Sequence, residues 1–118
     1  MTTYQIDAWT ALGDRTRRTI FARLASSPSA VGDLADTLPV TRPAVSQHLK
    51  VLKDAGLVLD QRAGNRRIYR VNPTGLEQMR GELDTFWNAT LAAYKHVVEV
   101  RRPPDQADQD QRPEGGAR

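Results

Sequence analysis

At Gly56 the period of the apolar residues changes, and that change narrows the fold more than any other feature of the chain. Before it, in "TRPAVSQHLKVLKDAGLV" (41–58), Val45, Leu49 and Leu52 recur at spacings of three and four, with Ala44 and Val51 beside them. That pattern lines one buried face of a helix. Thr41 is placed to cap it, Pro43 suits a first turn whose N–H groups have no partner, and Gly56 closes it. After Gly56, "LVLDQR" and "RIYRV" alternate as strands do, around "AGN", where Gly64 and Asn65 tolerate the positive φ of a hairpin turn. The chain is therefore mainly α with one β-hairpin.

Upstream, "YQIDAWTALG" predicts a first helix with Ile6, Trp9 and Leu12 on one side, ended near Gly13. Asp14 is placed to cap "RTRRTIFARLASS", whose Ile20, Phe21 and Leu24 point inward, and Ser29 to cap a short helix over "AVGDLADTL", with Val31, Leu34 and Leu38 apolar. A short turn at "PV" then leads into the 41–58 helix. Two short helices joined by a tight turn, the second presenting polar groups outward, form a helix-turn-helix, and the hairpin that follows is a wing.

The polar side of the second helix is distinctive. Pro43, Ser46, Gln47 and Lys50 cluster opposite the buried stripe, with Arg42 and Lys53 along one margin. A merely solvated face would carry Glu and Lys in i,i+4 pairs; this one offers a hydroxyl and an amide framed by cations. The net charge is +3, but residues 39–72 alone carry seven Lys or Arg against Asp54 and Asp60, while the remainder sums to a slight negative excess. One third of the chain thus holds the positive field, as a phosphate-facing surface requires. The hairpin tip adds Arg62, Arg66 and Arg67, with no carboxylate expected beside them, placed for phosphate or minor-groove contact.

Catalytic chemistry finds little footing. There is no cysteine and there are two histidines, so no nucleophile–base pair is placed by spacing. No Gly-rich loop follows a strand as a phosphate cradle would. The chain is read as a non-enzyme, soluble and cytoplasmic, since no stretch reaches the length of a membrane span and no basic start precedes an apolar run. Residues 1–100 are expected to form one domain and residues 101–118, which lack apolar side chains other than Ala, a disordered tail.

From Pro73 onward a long helix is predicted in which Leu76, Met79, Leu83, Phe86, Trp87, Leu91, Tyr94 and Val98 recur at spacings of three, four and seven. So much apolar surface exceeds what a small domain can cover. With the Ile6, Trp9 and Leu12 face it is expected to form a subunit interface centred on Leu83, Phe86, Trp87, Leu91 and Tyr94.

The segments "WTALGDRTRRTIFARLA", "VGDLADTLPVTRPAVSQHLKVLKDAGLV" and "RAGNRRIYRVNPTGLEQM" resemble the ArsR/SmtB-type winged-helix repressors, departing at Arg15, where relatives often carry Pro. The resemblance implies a homodimer of winged helix-turn-helix subunits, joined through their first and last helices, that represses transcription at inverted repeats. It places Thr41, Arg42, Ser46, Gln47 and His48 toward the major groove and Arg66 and Arg67 on the wing. The helical wheel agrees for Ser46 and Gln47, but it sets His48 on the flank of the buried stripe, as a structural or phosphate-proximal residue. Together the expected DNA-facing set is Thr41, Arg42, Pro43, Ser46, Gln47, His48 and Lys50 on the helix, with Arg62, Asn65, Arg66 and Arg67 on the hairpin. Gln47 is the best candidate for direct readout, because its amide can pair bidentately with adenine N6 and N7.

The family's metal sensing does not carry over. Its thiolate site needs cysteines on the "VGDLAD" helix. Its other site needs Asp-x-His early in the last helix, and Asp84 here is followed by Phe86, leaving His96 and Glu99 alone downstream. No metal or cofactor is expected, and a small organic molecule or another protein remains as inducer. The reading is a homodimeric, sequence-specific repressor of an inverted-repeat operator near its own gene. The alternatives are a sequence-nonspecific DNA-coating protein, a protein-interaction module that kept the fold, and a metal-responsive repressor using the last helix.

Overall fold

Asp7, Asp14 and Thr41 each precede a helix and accept a backbone N–H from three residues on, which fixes three helix starts in a computed structural model that describes residues 6–101 of the 118. The Thr10 N–H donates to Asp7 Oδ1 at 2.8 Å, opening α1 (Ala8–Ala11). The Arg17 N–H donates to Asp14 Oδ2 at 2.9 Å, opening α2 (Arg15–Ser26). These backbone bonds favour the charged carboxylates and hold both Asp7 and Asp14 below the ordinary value of 3.8. The cap at Asp7 also corrects the first helix: Ile6 precedes it, and Tyr4 and Gln5 lie outside the described residues.

Ser29 does not cap the next helix. Ser29 and Ala30 form a two-residue strand, β1, and α3 (Val31–Thr37) starts from Ala30 with no side-chain cap. The Ser29 hydroxyl instead donates back to the Ser27 carbonyl at 3.0 Å. α4 (Arg42–Asp54) follows, with the Ala44 N–H donating to Thr41 Oγ1 at 3.3 Å and Pro43 in the first turn. It ends in a Schellman arrangement: the Gly56 N–H reaches Lys53 O at 2.9 Å, the Leu57 N–H reaches Leu52 O at 3.0 Å, and Gly56 takes φ +82. Leu52 and Leu57, the positions whose apolar contact commonly accompanies this motif, are both fully buried in the same core cluster.

β2 (Val58–Ala63) and β3 (Arg66–Val71) form the hairpin, turned at Gly64 and Asn65 with Gly64 at φ +66. β1 pairs antiparallel with the far side of β3, giving the order β1-β3-β2 with Ser29 opposite Tyr69 and Ala30 opposite Ile68. α5 runs from Pro73 to Arg101. Asn72 anchors its start: Nδ2 donates to Gly56 O at 2.9 Å, while Oδ1 accepts the Thr74 N–H at 3.2 Å.

Among the described residues two compact units are defined, 6–81 and 82–101. The first holds the core, in which Ile20, Leu49, Leu52, Leu57, Val45 and Val58 are the largest fully buried side chains. The second comprises, among the described residues, the remainder of α5. Arg101 belongs to that helix and is the last described residue, so the rest of the tail expected over 101–118 lies outside the described residues.

Candidate nucleic-acid interface

α4 is sharply two-sided. Val45, Leu49 and Leu52 are 0% exposed, whereas Thr41, Arg42, Pro43, Ser46, Gln47 and Lys50 all face solvent. Burying the first set fixes the rotation of the helix, so the outward projection of Ser46 and Gln47 is enforced by the core rather than chosen locally. The Arg42 guanidinium lies against Gly32 of α3. Contrary to the expectation of a face without i,i+4 pairs, Lys50 Nζ meets Asp54 Oδ2 at 3.0 Å. Both partners are at least half exposed, so the pair holds weakly and a phosphate can compete for the lysine. His48 is half-buried, with its Nδ1 3.4 Å from Arg17 Nη1 of α2. Arg17 also donates through Nε to Ala11 O at 2.7 Å, and so links α1, α2 and α4.

In the wing, Arg62 stands opposite Arg67 and Ala63 opposite Arg66. Strand alternation therefore sends Arg62 and Arg67 to one face and Arg66 and Arg70 to the other. The expectation of one cationic tip lacking carboxylates is corrected here. Arg66 Nη2 lies 2.6 Å from Asp33 Oδ2 of α3, and Arg67 Nη1 lies 2.8 Å from Asp60 Oδ2 of β2. Arg62 Nε donates to Gly64 O at 3.4 Å, and Asn65 is exposed in the turn. Asp60 also receives Lys53 Nζ on Oδ1 at 3.0 Å. Among the described residues, Arg42 and Arg70 make no ion pair. Asp33 was invisible to local reading, being 33 residues from Arg66 in the chain. Asp60 was not, because the alternation in "LVLDQR" puts it on the same face as buried Val58.

A family model of the helix-turn-helix domain matches residues 12–61. The HTH-type transcriptional regulator Rv2034 of Mycobacterium tuberculosis is 55% identical over 101 residues, covering 84% of this chain and 94% of that protein. The chain belongs to the ArsR/SmtB family of transcriptional regulators. The transcriptional repressor SdpR of Bacillus subtilis is 34% identical over 78 residues, covering 66% of this chain and 87% of the relative. Among solved structures, an ArsR-like transcriptional regulator from Rhodococcus sp. RHA1 superposes with a TM-score of 0.65 at 33% identity, covering 75% of this chain and 87% of the other. The fold is thus the winged helix-turn-helix of ArsR/SmtB regulators, proteins that act on double-stranded DNA rather than as enzymes.

Other features of this ArsR/SmtB chain are plainly placed. Among the described residues no helix is long and apolar enough to cross a membrane. Nor do three His, Asp or Glu side chains converge as metal ligands among them, Asp84, His96 and Glu99 included. Of the residues expected at a subunit interface, Ile6 and Leu12 are half-buried against the core of their own unit, while Trp9 is 43% exposed. In the second unit Leu83, Phe86, Trp87, Leu91 and Tyr94 are all exposed, from 46% to 67%.

Proposed function

We propose that this ArsR/SmtB regulator is a homodimeric repressor that reads an inverted-repeat operator near its own gene and excludes RNA polymerase by occupying it. The observation that carries the reading is the two-sidedness of α4: a fully buried Val45, Leu49 and Leu52 stripe behind an exposed Ser46 and Gln47. Gln47 and Ser46 read base edges; Thr41, Arg42, Pro43 and Lys50 lie along the helix start and the backbone; Arg62, Asn65, Arg66 and Arg67 of the wing meet phosphate or the adjacent groove. His48, half-buried beside Arg17, supports the orientation of α4. Dimerisation is supported by the row of exposed aromatic and aliphatic residues on the second unit, since large exposed apolar faces mark interaction surfaces. Any inducer is an organic molecule or another protein.

Gln47→Ala is expected to weaken operator binding by about 1 to 3 kcal/mol and to relax preference at one base position, while leaving affinity for random duplex nearly unchanged. Fluorescence-anisotropy titrations against both duplexes check this. Equal losses on the two would remove Gln47 from base readout and favour a sequence-nonspecific DNA-coating role.

A further inference from the structure

A carboxylate on a surface that meets phosphate opposes binding unless it does something else there, and Asp60 is such a carboxylate. Its side chain is only 10% exposed, whereas the two cations that cover it, Lys53 and Arg67, are each 49% exposed. Each oxygen takes one partner: Oδ1 receives Lys53 Nζ at 3.0 Å, and Oδ2 receives Arg67 Nη1 at 2.8 Å. Lys53 belongs to the last turn of α4 and Arg67 to β3, so a single side chain ties the recognition helix to the far strand of the wing.

The register explains why a tie is needed. Arg62 and Arg67 are direct cross-strand partners on one face, and like charges so placed repel. Asp60 shares that face, two residues from Arg62 toward the start of β2, and takes the Arg67 guanidinium diagonally across the strand pair, giving it a counter-charge beside Arg62. The face toward α4 is thereby left with Arg67 held and Arg62 nearer the tip. On the opposite face Arg66 is held only by an exposed pair with Asp33, of 57% and 58% exposure, which contributes little. The Lys53 hydrogen bond, aided by Arg67, keeps the Asp60 carboxyl below its ordinary range, so the charged form is present throughout the neutral region.

We infer that Asp60 is a positioning residue for operator recognition: it sets where Arg67 and the wing stand relative to α4, so that base reading by the helix and phosphate contact by the wing occur in one register. The inference rests on the reading of α4 and the wing as a joint DNA surface. It makes a prediction opposite in sign to simple electrostatics. Removing one negative charge from a DNA-facing surface should strengthen binding to every duplex; removing a positioning residue should weaken binding to the operator alone.

Asp60→Asn is the test, measured in the full chain against a duplex enriched from random sequence by the unaltered protein and against a scrambled duplex of equal composition. Operator affinity is expected to fall about tenfold while affinity for the scrambled duplex holds or rises, an effect of the size found for residues sharing one charge network. A thermal melt confirms that the variant is folded. Lys53→Gln, at a half-exposed position, keeps the test decisive should Asp60→Asn not fold: it removes the α4 side of the tie and is expected to lower the operator-to-scrambled ratio in the same direction. A folded variant whose ratio stays at the unaltered value, or whose affinities for both duplexes shift equally, overturns the inference while leaving the DNA-binding surface intact. If the unaltered protein enriches no sequence, the proposed function itself fails, and this inference with it.

Discussion

Trp87→Glu is expected to abolish operator binding although Trp87 is not among the residues assigned to DNA. Trp87 is 57% exposed, with Leu83, Phe86, Leu91 and Tyr94 exposed at neighbouring helical positions. Spacings of three, four and seven put these side chains on one side of α5, where water is the poorest covering and a second copy of the same face the most economical one. A Trp at the centre of such a contact is typically worth about 2 kcal/mol or more. A Glu there replaces the apolar indole with a carboxylate that would have to be desolvated in the contact. One recognition helix reads only a few base pairs, and useful affinity needs two of them about 34 Å apart on one side of the duplex. Losing the dimer therefore loses the operator. Sedimentation velocity beside a gel-shift titration checks both steps; a Trp87→Glu protein that stays dimeric and binds normally would refute the interface.

Gly75→Ala is expected to destabilise the fold by about 3 kcal/mol, at the upper end of what overpacking costs. Gly75 is buried in the first turn of α5, and a Cβ there would overlap the carbonyl oxygen of Gly56. The Cβ position is fixed by the helix backbone and its neighbour is backbone, so no rotamer can relieve the overlap. Gly56 cannot yield either: its φ of +82 is set by the Schellman closure of α4, and its oxygen already accepts Asn72 Nδ2 at 2.9 Å. Gly81, further along the same helix, is the internal control. Nothing lies within 4 Å of a Cβ built there, and Gly81→Ala should stabilise by about 0.5 to 1 kcal/mol through helix propensity. Urea unfolding of the two variants measures the difference. A Gly75→Ala protein as stable as the unaltered chain would mean that α5 can shift away from the end of α4.

What could be read from the sequence was what local forces decide. α4 was legible from end to end, because Thr41, Pro43 and Gly56 act within a turn of where they stand and because the Val45, Leu49 and Leu52 period fixes the outward face. The same holds for the Asp14 cap and the Gly64 turn. β1 was not legible, since a two-residue strand has no periodicity of its own and exists because β3 offers a free edge. Ser29 looked like a cap by residue type, and the strand pairing of its backbone overrode that preference. At the N-terminal end the Ile6, Trp9 and Leu12 spacing suggested a longer helix, but the Asp7 side chain satisfies the Thr10 N–H and begins the helix two residues after Ile6.

The site divides along the same line. Exposure of Ser46 and Gln47 follows from helical geometry, whereas the fate of the wing arginines depends on tertiary partners. A charge count over 39–72 includes Asp60 but cannot tell that it sits between Lys53 and Arg67, and it excludes Asp33 altogether. Arg17 carried no signal either: its reach to Ala11 O and to His48 depends on how α2 packs against α1 and α4.

Sequencing the fragments that the purified protein retains from a random duplex library tests the central claim most directly. Two related half-sites in inverted orientation, their centres about one helical turn or a whole number of turns apart, are the expected result. Retention of fragments with no shared sequence, or of a single unrepeated half-site, would contradict a dimeric repressor that reads its operator with α4 and the wing.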